Sequence, residues 1–374
     1  MYSTDADEQG SFAPWHRPRR LPVPTDRTVV QDGVQVQYFR VGWPTRLSCS
    51  WDMAAALRQT VQSFDVVHIH SMYLFHGAVA AHYCRAAGVP YVIRPHGTLN
   101  PWHRQRRRWQ KALFTRLVEG RNVGGAAAMH YTTPDEARFA QDGGVTAPGF
   151  VVGMGVDTEQ FAVLPERGQF VAEHPELAGR TLVVFLGRIT PKKGFDLLIP
   201  AIARIATVVP DVHLVLAGPD EEGYAAHVRE LIQQHGIESR VTWTGMVTGA
   251  AKIALLRDAD VWALPSYDEN FAVAAVEAMA AEAPILISTG VGIHEIVRRA
   301  NAGLVVEPTV YAVRDGLKRL LLDPRLRRDM ARRGRELALT ELSWDPAARR
   351  LIDVYDDIIR NGRSASVLMA PAIS

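Results

Sequence analysis

The sequence predicts an α/β protein built from two domains, each with a parallel sheet. Short runs rich in β-branched residues alternate with longer helical stretches along the chain, which is the pattern of strands linked by crossover helices. The 374 residues exceed what one hydrophobic core comfortably organises. At about 150 residues per domain, two or three domains are expected. Loops with charge and glycine follow several predicted strands, where parallel sheets bind ligands.

The first half of the chain alternates predicted strands and helices. The strands are predicted at Val34–Val41, Asp65–Ser71, Pro90–Gly97, Ala126–Thr132 and Gly149–Gly153. The helices are predicted at Trp51–Ser63, Gly77–Ala87, Arg104–Glu119 and Pro134–Gln141. A polar connection that contains proline, residues 155–180, then separates this series from a second one.

The second series repeats the architecture with different residues. Its strands are predicted at Thr181–Gly187, Val212–Gly218, Val241–Gly245, Val261–Ser266, Pro284–Thr289 and Gly303–Val306. Helices dominate from Val310 onward, and Trp344–Arg360 reads as a last amphipathic helix.

Composition excludes several classes of protein. The formal net charge of +2 gives no global reason to expect a nucleic-acid partner. Cys49 and Cys84 lack metal-ligand spacing and cannot form a disulfide framework. No apolar run approaches the roughly 18 residues of a membrane span, and the acidic, polar start does not resemble a signal peptide. We therefore predict a soluble cytoplasmic protein.

Two carboxylates stand eight residues apart after a predicted buried strand. Glu269 lies near the strand's end, and Glu277 falls two turns down a helix that we expect to begin near Phe271. Carboxylates accept hydrogen bonds from vicinal hydroxyls, while the free N–H groups from Asn270 to Ala272 would attract an anion. The spacing suits a phosphorylated, polyhydroxylated ligand, although two solvated glutamates beside an apolar helix would give the same pattern.

A basic, glycine-containing loop follows the first strand of the second series. Arg188, Lys193 and Gly194 come after that strand's last residue, Gly187, and an amphipathic helix is predicted over Phe195–Val209. Guanidinium and ammonium groups supply charge to a diphosphate, and glycine lets the backbone approach it. Taken alone, such a turn is also typical of a solvated loop.

Together the two motifs, E-x7-E and GR-x4-KG, resemble the nucleotide-sugar site of the group 1 glycosyltransferases (glycosyltransferase family 4). The resemblance implies the α/β fold called GT-B, with two Rossmann-like parallel-sheet domains, an interdomain cleft and a C-terminal helix that crosses back to the first domain. It divides the chain into an acceptor-side domain (1–153), a nucleotide-sugar-binding domain (154–342), a crossover helix packed on the first domain (343–361) and a flexible tail (362–374).

The resemblance also implies roles for individual residues. Arg188 and Lys193 would neutralise the leaving diphosphate, Glu269 would hold donor-sugar hydroxyls and Glu277 would bind the ribose diol. The donor would be a UDP-sugar or a GDP-sugar, with no further cofactor. Its other contacts would fall to Met246 and Val247 beside the nucleobase, and to Gly187, Gly218, Asn270, Phe271 and Ala272.

One histidine follows a strand of the first domain in the segment Pro95-His96-Gly97. This segment resembles the P-H-G motif on the acceptor side of the family. The resemblance implies that His96 hydrogen-bonds the transferring sugar, and a role as covalent nucleophile would be chemically odd. The remaining histidines of this half are expected to be structural, namely His68, His70, His76 and His103.

A basic segment occupies residues 103–116, with six Arg and Lys side chains and no acid. Such a run is usually a solvated face. Apolar residues at helical spacing, among them Trp109 and Leu113, also allow a helix (104–116) that meets anionic lipid at the inner face of the membrane or a phosphorylated acceptor. The same apolar positions are explained equally well as a buried stripe.

A possible metal motif is Asp258-Ala259-Asp260, which spells the D-x-D of metal-dependent glycosyltransferases. It lies just before a buried strand, and the family pattern explains it as part of the segment that leads into that strand. Histidine and cysteine spacings offer no tetrahedral site. We therefore expect no metal.

The start of the chain departs from the family pattern. Complete relatives open with a strand, a glycine-rich loop and a helix, and the resemblance here begins at the second strand. We therefore expect a first domain that is incomplete at its start, poorly folded and prone to aggregate. Binding of nucleoside diphosphate would be retained by the second domain.

The expected function is retaining, metal-independent transfer of a hexosyl group from a nucleotide-diphosphate sugar. The acceptor would be a saccharide or a lipid-linked molecule in cell-surface polysaccharide or glycolipid synthesis. Two alternatives stay open: an inactive nucleotide-sugar-binding paralogue, and a GT-B nucleotide-sugar epimerase.

Overall fold

The computed structural model describes residues 1–7, 19–43, 47–100, 118–220 and 223–361. The chain divides into two compact units. Unit 1 comprises Met1–Val152 and the chain from Leu351 onward, and unit 2 comprises Gly153–Arg350. The predicted basic helix 104–116 and the tail 362–374 lie outside the described residues.

Unit 1 contains short strands connected by helices and turns. The strands are β1 (Tyr2–Thr4), β2 (Ala6–Asp7), β3 (Arg19–Arg20), β4 (Thr28–Gln31), β5 (Val34–Phe39), β6 (Val67–His70), β7 (Tyr91–Arg94), β8 (Ala128–Tyr131) and β9 (Gly149–Val151). The helices are α1 (Trp51–Thr60), α2 (Phe75–Ala87), α3 (Gly120–Gly125) and α4 (Pro134–Asp142). Strands β6, β7, β8 and β9 form a parallel sheet in that order. Strand β1 pairs parallel with β5, which pairs antiparallel with β4.

The β4–β5 hairpin was not predicted from the sequence. Its turn residues Asp32 and Gly33 have φ angles of +50° and +78°. Positive φ at both central residues is the requirement of a type I′ turn, for which Asp-Gly is a favoured pair. The dipeptide between two valine-containing runs was therefore a usable signal.

The predicted end of a helix at Glu119 is wrong, because helical backbone continues through α3 to Gly125. The Asn122 carbonyl accepts a hydrogen bond of 2.6 Å from the Tyr91 hydroxyl, and its side-chain oxygen accepts one of 3.2 Å from Arg85. These tertiary contacts hold a glycine-rich sequence in a helix that its intrinsic propensity disfavours.

Unit 2 contains the longer series of elements. Its strands are β10 (Thr181–Leu186), β11 (Val212–Ala217), β12 (Val241–Gly245), β13 (Val261–Leu264), β14 (Ile285–Ser288) and β15 (Leu304–Val306). Its helices are α5 (Gln169–Glu173), α6 (Phe195–Ile205), α7 (Ala225–Gln234), α8 (Gly249–Asp258), α9 (Val273–Ala280), α10 (His294–Arg299), α11 (Val310–Leu322) and α12 (Pro324–Thr340). A final helix, α13 (Trp344–Asn361), begins in unit 2 and ends in unit 1.

The six strands of unit 2 form one parallel sheet in the order β12-β11-β10-β13-β14-β15. Numbered from β10, this order is 3-2-1-4-5-6, the doubly wound arrangement. Every residue of β11, β13 and β14 is buried, as expected for strands covered by helices on both faces. The order reverses between β10 and β13, so a crevice opens at their carboxyl ends.

The last turns of α13 attach to the parallel sheet of unit 1. Val354 and Ile358 are buried, and the hydroxyl of Tyr355 contacts the Nδ1 atom of His68 on β6. Among the helices of the described residues, none is both long enough and apolar enough to cross a membrane.

Candidate functional site at the switch point of unit 2

The two loops that border the crevice of unit 2 contact each other directly. The loop after β10 contains Lys192 and Gly194, and the loop after β13 contains Ser266 and Tyr267. The Lys192 carbonyl accepts hydrogen bonds from the Ser266 hydroxyl at 2.7 Å and from the Tyr267 N–H at 2.8 Å. Gly194 has a φ of +74°, and a Cβ there would lie 2.1 Å from the Pro265 carbonyl oxygen. Glycine is therefore required where the loops meet.

An ion pair spans the crevice between these loops. The ammonium of Lys193 donates a hydrogen bond to Glu269 Oε2, and Lys192 Nζ lies 3.8 Å from the same oxygen. The Lys193 and Glu269 side chains are only 12% and 16% exposed. Burial by itself would raise the pKa of Glu269, but the charges of Lys193 and Lys192 outweigh it and hold that pKa below its ordinary value. Glu269 is therefore an ionised acceptor whose Oε1 is not used by these lysines.

A second ion pair holds the other predicted carboxylate. Glu277 of α9 accepts a hydrogen bond of 2.7 Å at Oε1 from Lys252 of α8, and both side chains are about one-fifth exposed. Lys252 was not identified from the sequence. It lies in the first half of α8, the helix that follows the predicted base-binding residues Met246 and Val247. The pair therefore ties Glu277 to the helix that these residues lead into.

Glycines end three neighbouring strands at the same edge of the sheet. The N–H of Gly187 donates to the Ala217 carbonyl at 2.9 Å, and the N–H of Gly218 donates to the Gly245 carbonyl at 2.7 Å. Gly187 and Gly218 have φ angles of +153° and +140°. The predicted strands that included these two residues were therefore one residue too long, because the chain turns at each glycine. A Cβ on Gly218 would lie 1.9 Å from the Gly187 carbonyl oxygen, so this edge admits no side chain there.

The loop before α9 contains the predicted backbone donors. Ala272 has a φ of +63°, so the helix begins at Val273 and the predicted start near Phe271 is wrong. This left-handed residue turns the chain before the first helical turn. Among the described residues, neither the Phe271 N–H nor the Ala272 N–H donates a hydrogen bond. Two donors thus remain beside Glu269, next to the N-terminus of an eight-residue helix.

The predicted base-flanking residues differ in exposure. Met246 is 62% exposed, whereas Val247 packs partly against the core of unit 2. A large exposed apolar side chain at a strand's carboxyl end provides a surface on which a planar ring can stack. Arg188 is also exposed, on the loop that carries Lys193.

The two aspartates of the D-x-D sequence have structural contacts. Asp258 accepts hydrogen bonds from the N–H groups of Gly168, at 2.5 Å, and Val171, at 3.0 Å, at the start of α5. Asp260 accepts one of 2.9 Å from the Leu182 N–H on β10. In the part of the chain that the structure describes, no three or more His, Cys, Asp or Glu side chains are grouped as metal ligands.

His96 lies in unit 1, at the carboxyl end of β7. It has a φ of +55°, and its Nε2 atom lies 2.9 Å from Nδ1 of His70. The N–H of the next residue, Gly97, donates to Glu136 Oε1 at 2.6 Å. His70, which was expected to be only structural, is therefore an immediate neighbour of the predicted site residue. Alternation along β6 placed His68 and His70 on one face, and this was the signal available in the sequence.

A hydrogen-bonded chain extends from the same cluster to α13. His130 Nε2 donates to the Val152 carbonyl at 2.8 Å, so its Nδ1 atom accepts from His68 Nε2 at 3.3 Å. His68 Nδ1 must then accept from the Tyr355 hydroxyl. Burial is the main cause that lowers the pKa of His130 to about 3 and that of His68 to about 2. Because the Val152 carbonyl can only accept a hydrogen bond, it determines the tautomers of the neutral His130 and His68.

Comparison with known proteins identifies the family. The model described as glycosyl transferases group 1 matches residues 167–337, and the one described as glycosyl transferase 4-like domain matches residues 10–155.

Two relatives illustrate the sequence similarity. A GDP-mannose-dependent alpha-(1-6)-phosphatidylinositol monomannoside mannosyltransferase of Mycobacterium tuberculosis is 32% identical over 260 residues, 67% of this chain and 66% of that protein. A D-inositol 3-phosphate glycosyltransferase of Salinispora tropica is 35% identical over 211 residues, 54% of this chain. The second alignment covers only 41% of the Salinispora protein's own length.

Solved structures share the fold at low sequence identity. A sucrose-phosphate synthase from Thermosynechococcus elongatus has a TM-score of 0.78 and 20% identity, and the match covers 96% of this chain and 88% of that one. Anabaena HepE in complex with UDP and glucose has a TM-score of 0.70 and 19% identity, with 87% of each chain covered. These likenesses confirm the predicted GT-B fold class.

The fold is that of an α/β protein with a cluster of charged side chains at the switch point of its second sheet. The chain belongs to the group 1 glycosyltransferases. This confirms the family that the two motifs predicted.

Proposed function

We propose that this chain transfers a hexosyl group from a UDP-sugar or GDP-sugar to a saccharide or lipid-linked acceptor, with retention of configuration and without a metal ion. The process served would be the synthesis of cell-surface polysaccharide or glycolipid. The observation that carries the proposal is the Lys193–Glu269 pair at the switch point of unit 2. The name of the Mycobacterium relative, with its GDP-mannose donor and phosphatidylinositol mannoside acceptor, supports both substrate classes.

Donor binding follows from how the two carboxylates are held. Glu269 and Glu277 each give one oxygen to a lysine, so the other oxygen can accept a hydrogen bond from a ligand hydroxyl. Glu269, beside the diphosphate-binding loop, would hold the donor sugar, and Glu277 would hold the ribose. Met246 would stack on the nucleobase, and the glycine edge would let the diphosphate approach the backbone.

Transfer depends on charge at the leaving group. The bond between the sugar's anomeric carbon and the diphosphate oxygen breaks while the acceptor oxygen bonds the same face of that carbon. The acceptor proton passes to the departing phosphate oxygen, so no protein base is required. Lys193, Arg188 and the N–H groups of Phe271 and Ala272 would stabilise the charge that grows on that oxygen. His96 would contact the transferring sugar.

The structural contacts of Asp258 and Asp260 support a scheme without a metal. Each side chain accepts hydrogen bonds from backbone N–H groups, which a metal ion would have to displace. The positive charge that the leaving group needs is supplied instead by the basic loop after β10.

A donor screen tests the proposal. The protein is incubated with UDP-sugars and GDP-sugars in the presence of EDTA, with saccharides, phosphatidylinositol or its mannoside as acceptors, and released nucleoside diphosphate is measured. We expect acceptor-dependent release with at least one donor, and a product whose NMR coupling constants show retention. An inverted product, or a strict requirement for added Mn²⁺ or Mg²⁺, would contradict the mechanism. Tight binding of nucleoside diphosphate without turnover for any donor would instead identify a non-catalytic binding protein.

A further inference from the structure

Unit 1 contains a buried cation, two of whose hydrogen-bond donors lack partners. Arg94 is the last residue of β7 and is only 8% exposed. Its Nε and Nη2 atoms are inaccessible to solvent and have no hydrogen-bond partner within the described residues. No ion pair is formed by Arg94 within the same residues. A buried guanidinium is costly unless its charge and donors are matched, so this arrangement calls for a ligand.

Glu136 acts on Arg94 through its charge but forms no hydrogen bond with it. Glu136 attracts Arg94 electrostatically, but both of its oxygens accept hydrogen bonds from other groups. Oε1 accepts from the Gly97 N–H at 2.6 Å, and Oε2 accepts from the N–H and the hydroxyl of Thr132 at 2.8 and 2.9 Å. Glu136 therefore shapes the turn after β7 and leaves the donors of Arg94 unmatched.

The remaining neighbours are neutral and polar. His70 and His96 are exposed at the carboxyl ends of β6 and β7, and Tyr355 approaches from α13. Desolvation, followed by the charge of Arg94, lowers the pKa of His70 and lowers that of His96 to about 4. The cluster thus has two exposed imidazoles and an arginine that forms no ion pair or hydrogen bond with its one acidic neighbour, Glu136.

We propose that Arg94, with His70 and His96 at the opening, binds an oxyanion, a phosphate or carboxylate group, of a ligand on unit 1. The Nε–H and one Nη2–H bond of a guanidinium point in parallel along one edge, which matches two oxygens of either group. These are the two nitrogens of Arg94 that lack partners, and because the protein covers both of them, the ligand reaches them only when the side chains around Arg94 move aside. The inference concerns unit 1 alone and holds whether or not sugar transfer occurs.

Local binding is measured with inorganic phosphate and glucuronate as probes, and glucose as the neutral reference, at constant ionic strength. Histidine ring signals in NMR spectra report binding at His70 and His96 separately from any anion bound in unit 2. We expect phosphate or glucuronate to shift these signals and to raise the pKa of His96, whereas glucose should not. A preference for phosphate would indicate a phosphorylated ligand, and a preference for glucuronate an acidic sugar. If neither anion shifts these signals, the proposal is wrong.

Substitution of the arginine supplies the decisive comparison. Arg94→Met should weaken anion binding by about 10- to 100-fold, the effect of losing a charged hydrogen-bond donor. Arg94→Lys keeps the charge without the parallel donors, and should also bind more weakly than the wild-type protein. Arg138→Met is the matched control, because Arg138 is exposed and pairs with Asp135 in the same unit. This control should bind as the wild-type protein does.

Thermal unfolding separates a ligand site from a structural role. Without anion, Arg94→Met should melt no lower than the wild-type protein, because a desolvated, unmatched charge has been removed. With saturating phosphate or glucuronate, only the wild-type and Arg138→Met proteins should gain stability. A large loss of stability in anion-free Arg94→Met, or unchanged anion affinity, would show that the arginine serves the fold and would overturn the proposal.

Discussion

Both units place charged side chains at the carboxyl ends of parallel strands, but they balance the charges differently. In unit 2, Lys193 and Lys252 are each matched by one glutamate before any ligand arrives, and Lys192 and Arg188 add positive charge beside Glu269. In unit 1, Arg94 has no such partner among the described residues. A matched site can hold a ligand that brings both hydroxyls and an anion, whereas an unmatched cation selects for the anion itself. The two units therefore differ in the chemistry they can recognise.

The strongest test of the matched site is Lys193→Ala. Because the ammonium would face growing charge on the leaving oxygen, turnover should fall by about 100- to 1,000-fold. The rate of nucleoside diphosphate release measures the effect. Lys318→Ala is the control, because Lys318 is exposed on α11. Turnover of Lys193→Ala equal to that of the control would show that charge balance at this site has no catalytic role.

The glycine edge, where the chain turns after β10 and β11, can be broken sterically. Gly218→Ala places a Cβ 1.9 Å from the Gly187 carbonyl oxygen at a φ of +140°, and should lower the free energy of unfolding of unit 2 by about 2–4 kcal/mol. Denaturant unfolding measures the loss. Gly236→Ala, at a φ of +63° with nothing within 4 Å, isolates the backbone cost of about 1–2 kcal/mol. Equal losses in the two variants would mean that the Cβ added in Gly218→Ala does not clash with the Gly187 carbonyl oxygen.

The two sites also differ in how far the sequence revealed them. The unit 2 residues lie in strand-loop-helix segments, so the two motifs, taken together with their resemblance to a family pattern, predicted Arg188, Lys193, Glu269 and Glu277 at one sheet edge. Strand ends at Gly187 and Gly218 and the helix start at Val273 were misplaced, since they depend on positive φ angles that glycine permits and Ala272 adopts only in context.

Other features depend on contacts between distant segments. Lys252 reaches Glu277 only because α8 crosses from β12 toward β13 beside α9. Arg94 reads in sequence as the end of a buried strand, and its lack of a partner is visible only when every neighbour's hydrogen bonds are known. The chain from His130 through His68 to Tyr355 joins residues up to 287 positions apart. Local patterns cannot contain such information.

Glu277→Ala sharpens the comparison by removing one half of a matched pair. The affinity for nucleoside diphosphate should fall by about 1.5–3 kcal/mol, because a charged acceptor for the ribose is lost and Lys252 is left without its carboxylate. Calorimetric titration measures the change. Glu295→Ala, an exposed acid of α10, should bind as the wild-type protein does. Unchanged affinity in Glu277→Ala would place the ribose elsewhere.

The smallest expected effect concerns the neutral histidines that surround the unmatched cation. Folded His130 stays neutral until the pH nears 3, whereas in the unfolded chain it takes up a proton near 6.5. The unfolded state therefore binds more protons below pH 6.5, and stability should fall as the pH decreases from 7 to 5, by up to about 1–2 kcal/mol for this residue. His130→Gln should be less stable at pH 7 but lose less on acidification, and exposed His82→Gln should follow the wild-type protein. If acidification destabilises His130→Gln as much as the wild-type protein, the histidine is not held neutral by the fold.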